Sequence, residues 1–303
     1  MLERVAGAAG VTLPPPVLAA AKDKYAQIGG KSPSYEISLA ICEQLKTALH
    51  DRAQSDDCVR DIEIGMIFTE PLIEDSLQKL RDAGCTRIVY LSMTAYESFA
   101  AWSGPFLRVR EAATKLGISE VLRAPVFGEK DCFVQAHIDY LTEAYEGHGS
   151  AEDIHYLFVA HSLPIDDPQE TSAIYEQQLL NAAARIDTVL PAHAEPGDLS
   201  YVSIGARGGA WLRPSLKEAL ARLRESIGDT GEQQTVIVCP LGFSTDHMEV
   251  LYDLDIDAAQ EAERLDFDFV RTPTLATLEA IHPALIEALV DCVQEALQKG
   301  STA

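Results

Sequence analysis

The amino-acid sequence predicts an α/β protein of two doubly wound lobes built on parallel sheets. Three observations predict it. Short, apolar, often β-branched runs alternate with amphipathic stretches along the chain. The 303 residues exceed what one typical core organises and suit two. Apolar residues make up 47% of the chain, enough to fill two cores. Such alternation implies right-handed βαβ units, with helices covering both faces of each sheet.

In chain order, the strand-like runs are 62–68, 87–91, 120–126, 154–160, 199–204 and 235–239, with a weaker one at 267–271. Amphipathic helical stretches lie between them at 71–83, 104–116, 131–146, 169–186 and 214–227. A lobe boundary is expected near 127–131. That gives a first lobe of residues 1–130 and a second of 131–273. A last helix, from about 274 to 297 within the tail 274–303, is expected to pack back on the first lobe. One feature departs from the pattern. A doubly wound lobe normally opens with a strand, yet this chain opens with a short tail and a helical stretch after Pro14-Pro15-Pro16. The first lobe therefore offers three clear strands against four in the second, and a central strand is missing or supplied differently.

Composition excludes several classes. No apolar run approaches the roughly 20 residues of a membrane span. The opening Met1-Leu2-Glu3-Arg4-Val5-Ala6-Gly7 lacks a signal peptide's apolar core, so a cytoplasmic protein is expected. Cys42, Cys58, Cys85, Cys132, Cys239 and Cys292 are scattered, which argues against a zinc ribbon, an iron–sulfur cluster or a disulfide scaffold and for buried free thiols. A net charge of −23 leaves no basic surplus for nucleic acid. It suits cations, although solubility or salt adaptation accounts for most of it.

In open α/β sheets, ligands bind beyond the carboxyl ends of the strands. Beyond 154–160 comes His161-Ser162-Leu163-Pro164. A histidine there suits proton exchange near neutral pH, and it equally suits a structural bond to a carbonyl. Beyond 235–239 a helix is expected, capped by Ser244 or Thr245 with Asp246 in its first turn. On it Glu249, Asp253 and Asp257 recur every four residues on one face. Carboxylates so aligned repel by a few tenths of a kcal/mol per pair, a cost that makes sense if a hard cation is handled there. A solvated acidic face is the plainer alternative. Gly29-Gly30-Lys31-Ser32-Pro33 reads as a turn without P-loop spacing. Beyond 199–204, Gly205-Ala206-Arg207-Gly208-Gly209 permits close approach to a ligand, and Trp211 either lines a cleft or packs.

Together these segments resemble the ferrochelatase family. Gly29-Gly30-Lys31-Ser32-Pro33 is similar to its Gly-Gly-x-Ser-Pro turn, and Ala160-His161-Ser162-Leu163-Pro164 to its Ser-Ala-His-Ser-Leu-Pro signature. Trp211-Leu212-Arg213-Pro214 matches its Trp-Leu-x-Pro. Asp246-His247-Met248-Glu249-Val250-Leu251-Tyr252-Asp253 is close to the bacterial form. The resemblance spans about residues 20–297. It implies two Rossmann-like lobes with an inter-lobe cleft, as in class II chelatases, and insertion of Fe²⁺ into coproporphyrin III or protoporphyrin IX in heme biosynthesis. It implies His161 and Glu249 as catalytic residues, and His161, Glu249, Asp253 and Asp257 as the metal-handling set. Gly29, Gly30, Lys31, Ser32, Pro33, Arg207 and Trp211 would bind the macrocycle. Fe²⁺ is then a substrate, with no permanently bound cofactor and no iron–sulfur cluster. The partners are a tetrapyrrole and a divalent metal, with no nucleic acid and no transmembrane segment; a monomer is one option, and the oligomeric state stays open.

The family's first strand and following loop lie before Met1, and its basic residue after strand 62–68 and its Ala-Pro-His segment are replaced, the latter by Ser92-Met93-Thr94-Ala95-Tyr96. The metal side is retained and the macrocycle side altered. A chelatase-like enzyme for a different tetrapyrrole or non-porphyrin ligand, or a non-catalytic tetrapyrrole- or metal-binding homologue, are the alternatives.

Overall fold

The computed structural model describes residues 15–52, 59, 61–148, 153–190, 198–204, 209–228 and 230–300. Helix α1 (Pro15–Gln27) and helix α2 (Ser34–Arg52) open it. Between them, Gly29 and Gly30 take φ of 90° and 92°, and the Gly30 N–H closes α1 on the Tyr25 carbonyl at 2.8 Å. Only glycine adopts that left-handed backbone without strain. On α2, Ile37, Ile41, Leu45 and Leu49 recur every four residues and form its buried stripe.

The first sheet has two parallel strands, β1 (Arg87–Tyr90) and β2 (Glu120–Arg123), in register from Arg87 opposite Glu120 to Tyr90 opposite Arg123. Helices α3 (Ile73–Asp82) and α4 (Gly104–Lys115) cover one of its faces, with α4 entered through a short π-helical turn, Phe99–Ser103. The expected strand at 62–68 does not form. That segment is extended, and only Met66 makes a bridge, with Leu72. A strand needs a ladder partner, and among the described residues β1 is joined only to β2.

After α5 (Asp131–Glu146) comes a four-stranded parallel sheet of β3 (Ile154–His161), β4 (Asp198–Val202), β5 (Gln234–Cys239) and β6 (Phe267–Arg271), ordered β4-β3-β5-β6. Its crossovers are α6 (Ser172–Asp187), α7 (Leu216–Ile227), and a π-helix at Val250–Ala258 that runs into α8 (Ala259–Arg264). Side chains of β3 alternate between two cores. Ile154, Tyr156, Phe158 and Ala160 join one, and Leu157 and Val159 the other. The final helix α9 (Pro283–Gly300) is shorter than the expected 274–297 at its start, and packs on α2, α5, β1 and β2. Residues 274–282 are apolar in part but serve as a loop. Leu275 and Ala276 are fully buried there, and Ala276 bridges Thr245 and Ile281.

Candidate active site

The carboxyl ends of β3 and β5 meet at one point. His161 is the last residue of β3. The Ser162 N–H donates to the Val202 carbonyl at 2.9 Å, and the Ser162 hydroxyl to the Leu212 carbonyl at 2.9 Å. The Leu212 N–H returns to the Leu163 carbonyl at 3.0 Å. His161-Ser162-Leu163-Pro164 is thus bound to its sheet neighbour and to the Trp211-Leu212 segment. The loop after β5 is fixed at both ends. The Gly242 N–H donates to the Val159 carbonyl at 2.9 Å, and the Ser244 hydroxyl to the Met93 carbonyl, beyond β1, at 2.8 Å.

This loop brings Glu249 to His161. The imidazole Nε2 lies 3.5 Å from Glu249 Oε1. Nδ1 lies 2.6 Å from the Ser162 carbonyl, which can only accept, so Nδ1 carries the hydrogen. The neutral ring therefore turns its Nε2 lone pair toward the carboxylate and the cavity. His161 is set deep among protein atoms, yet 38% of its side-chain surface stays open. Burial works against a charged ring, but the Glu249 carboxylate and the Ser162 carbonyl outweigh it, and the His161 pKa is raised. Burial likewise opposes charge on Glu249. His161 and His247 prevail, with help from Lys24, and hold that carboxyl at about 2.

His247 is the residue that sequence reasoning left out. Its Nδ1 lies 3.4 Å from Glu249 Oε2, so Glu249 sits between two imidazoles. Burial lowers the His247 pKa despite the carboxylate, so this ring favours the neutral form. Its Nδ1 accepts from the Val250 N–H at 3.4 Å, which makes His247 the residue that satisfies a free amide at the helix start. The expected caps do other work. Ser244 holds Met93, Thr245 bridges Ala276, and Asp246 accepts from the Thr274 hydroxyl at 2.8 Å. The available signal was proximity, since His247 stands two residues before Glu249 in the loop that follows a strand.

The acidic residues do not form one face. The helix at Val250–Ala258 is closed by i→i+5 bonds, so residues four apart no longer stack as in an α-helix. Asp253 turns inward, 8% exposed, where Lys24 of α1 and the Ser203 hydroxyl each donate to it at 2.8 Å. Asp257 pairs with Lys217 at 2.8 Å. Both charges are matched by cations from other elements, so the repulsion expected of an aligned acidic row is relieved. We expect Lys24→Met to cost about 1 kcal/mol, because it strips a partly exposed cation from a buried carboxylate that keeps its serine. Denaturant unfolding measures it, and an unchanged midpoint would show that the pair contributes nothing.

A cavity of about 1970 Å³ opens at this point. His161 and Glu249 line it, as do Gly30, Lys31 and Ser32 from the turn after α1. Gly29 and Pro33 shape that turn without lining the cavity, and Asp253, Asp257 and Trp211 also lie off it. Trp211 instead bridges Pro164. Arg207 lies outside the described residues. Lys22, Lys31 and Arg87 are the described cations on the lining, against Glu36, Asp61, Glu63, Glu70 and Glu249. Lys31 already pairs with Glu36, and Arg213 with Glu218 at 3.0 Å. Among the described residues, no group of three or more His, Cys, Asp or Glu is arranged to hold a metal ion. No helix among them is long and apolar enough to cross a membrane.

The ferrochelatase family model matches residues 13–297. The chain belongs to the ferrochelatase family. This is a family of metal-inserting lyases, and a basic group and carboxylate lining one cavity fit that class of chemistry. A ferrochelatase of Synechococcus elongatus is 27% identical over 92% of this chain and 69% of its own length. A coproporphyrin III ferrochelatase of Propionibacterium freudenreichii is 29% identical over 98% of this chain and 82% of its own. Among solved structures, SirB from Bacillus subtilis with Fe³⁺ aligns at a TM-score of 0.61 and 16% identity, over 86% of this chain and 88% of that one. At that identity the likeness concerns the fold, which is the expected two-lobed chelatase arrangement.

Proposed function

We propose that this ferrochelatase-family chain inserts Fe²⁺ into a porphyrin, coproporphyrin III or protoporphyrin IX, with His161 as proton acceptor and Glu249 as its partner. The observation that carries this reading is the 3.5 Å contact between His161 Nε2 and Glu249 Oε1 on the lining of the cavity. Metallation releases two pyrrole protons, and something must take them. The neutral His161 ring offers one lone pair, on Nε2, because Nδ1–H is committed to the Ser162 carbonyl. Once protonated, the ring faces a carboxylate that favours its charge. Glu249, held at about 2, is too weak a base to compete for the proton and instead stabilises the imidazolium. The same two side chains, with the ring neutral and Glu249 ionised, would be the ones to receive the metal substrate before the ring takes up a proton. Asp253 and Asp257 serve the metal less directly, since each carries its own lysine.

The pH dependence follows from the sign of the shifts. His161 acts as base only when neutral, and its pKa is raised, so the rate falls on the acid side with a midpoint above about 6.5. Stability runs the other way. The charged contact stabilises fully below about pH 6.5 and fades as pH rises through the raised His161 pKa. Glu249's share is present above about pH 4.3 and fades only as pH falls toward 2. The test is a spectrophotometric metallation assay with Fe²⁺ and Zn²⁺ against both porphyrins from pH 5 to 9. Turnover with an acid limb above about 6.5 supports the proposal, and no turnover with either metal or porphyrin sinks it.

A further inference from the structure

The segment that leaves β1 toward the cleft is irregular from residue 92 to residue 98, yet Ala95, Tyr96 and Ser98 within it are buried. Buried backbone outside helix and sheet needs partners from elsewhere. Most of them come from the second lobe. The Glu97 N–H donates to the Gln178 side-chain oxygen at 2.8 Å, and the Thr171 hydroxyl donates to the Glu97 carbonyl at 3.3 Å. Ser244 holds the Met93 carbonyl, and the Tyr96 ring meets Tyr175 of α6 edge-on at 6.2 Å.

Glu170, in the loop before α6, makes the closest of these contacts. Its carboxylate accepts from the Phe99 N–H at 2.6 Å and from the Ala100 N–H at 3.3 Å. These are the first two amides of the π-helical turn that leads into α4, and a helical start leaves such amides without internal partners. The third, Ala101, is served within the turn by the Ser98 hydroxyl at 3.1 Å. The Thr171 N–H donates to Glu170 Oε1 at 2.9 Å and fixes the carboxyl group in place. A charged acceptor makes stronger bonds than a neutral one, and its charge also suits the positive end of the helix.

The turn that Glu170 holds is part of the cavity wall. Ser98, Ala100 and Ala101 line the cavity from the first lobe, and His161, Tyr175 and Glu249 line it from the second. Glu170 itself lies off the lining. We propose that Glu170 is a positioning residue, which holds the wall at Ala100–Ala101 at a fixed separation from His161 and so prepares the cavity for the flat macrocycle. The proposal rests on the porphyrin reading above. Without the carboxylate, water can satisfy the two amides and the wall loosens. A loosened wall has to be ordered again when porphyrin binds, and that ordering weakens affinity. The metal substrate meets His161 and Glu249 instead, so its own KM should not follow.

The test compares the full chain with Glu170→Ala and Glu170→Gln. Porphyrin affinity is read by fluorescence titration with coproporphyrin III and protoporphyrin IX in the absence of metal, and the KM values for porphyrin and Zn²⁺ are read from metallation. Glu170→Ala should weaken porphyrin binding and raise the porphyrin KM by about tenfold, with the Zn²⁺ KM within about twofold of wild type. Glu170→Gln keeps one carbonyl oxygen for the Phe99 amide and should recover part of the affinity; it also decides the matter if the alanine variant fails to fold. Ser215→Ala, which strips the cap of α7 off the cavity lining, should lower the melting temperature and leave both KM values unchanged. Porphyrin affinity within about twofold of wild type in Glu170→Ala overturns the proposal. So does a parallel loss for porphyrin and metal, which would mean general damage, and so does a glutamine variant no better than alanine. Because binding is read without metal, absent turnover counts only against metal insertion, while affinity alone decides the role of Glu170.

Discussion

Replacing His161 by alanine is expected to lower the metallation rate by about 10²–10⁴-fold, the usual worth of a positioned general base, at a pH where the wild-type ring is neutral. The loss should fall on turnover, because the ring is proposed to accept a proton while most of the cavity lining is left unchanged. No neighbour can take over. His247 has its Nδ1 engaged by the Val250 amide, and burial lowers its pKa. Glu249 loses its partner with the ring, and its remaining neighbours His247 and Lys24 still favour the ionised carboxylate against burial, a much weaker base than an imidazole. Glu249→Gln should also slow turnover, with an additional signature. Without the carboxylate, burial of His161 is opposed only by the Ser162 carbonyl and the Asp253 charge, so the acid limb should move to lower pH. The fold should survive both changes, since the hydrogen bond lost with the His161 ring is worth about 1 kcal/mol. Steady-state rates across pH and a melting curve for each variant check this. A His161→Ala protein within threefold of wild type would remove the residue from the mechanism, and an unmoved acid limb in Glu249→Gln would uncouple the pair.

How far the sequence revealed this site depended on whether each feature is set locally. Strands β3 and β5 of the second sheet were legible because both of their faces are buried. Continuous apolar runs such as Val236-Ile237-Val238 have no competing reading between turns. Helix 131–146 was legible to the residue, from Asp131 in its first turn to Gly147 beyond its end. His161 and Glu249 were legible as the ends of strand-to-loop segments. The segment at 62–68 was misread because its composition suits a strand, while strand formation depends on a partner that lies elsewhere in the fold. The acidic row failed for a different reason. Its four-residue spacing implied an α-helix, and the π-helical winding that turns Asp253 inward goes with contacts from Lys24 and Ser203, which lie 229 and 50 residues away in sequence. Lys24 carried no local signal at all. Its role exists only because α1 packs on the helix after β5.

The strongest structural prediction concerns Gly242, which packs the loop leading to Glu249 against the strand that ends at His161. A Cβ added there would sit 2.5 Å from the Ala160 Cβ and 2.6 Å from its Cα. Neither atom belongs to a flexible side-chain end, so the backbone of the loop or of β3 has to move. The residue that would be struck is the one immediately before His161. The loop that would be displaced carries Glu249 seven residues on, and its far side is held to Met93 through Ser244. Gly242→Ala is therefore expected to cost about 1–3 kcal/mol of stability from overpacking, and to cut turnover by about 10²-fold through misplacement of Glu249. Gly117→Ala separates the two effects. Gly117 lies in the turn before β2 at φ 74°, with nothing within 4 Å of an added Cβ. Alanine there costs about 1–2 kcal/mol of backbone strain and leaves the cleft untouched. Denaturant unfolding should show the two variants similarly destabilised, while the metallation assay separates them. If both lose turnover equally, general instability is responsible; if Gly242→Ala keeps it, the close contact between the β5 loop and β3 does not set the His161–Glu249 distance.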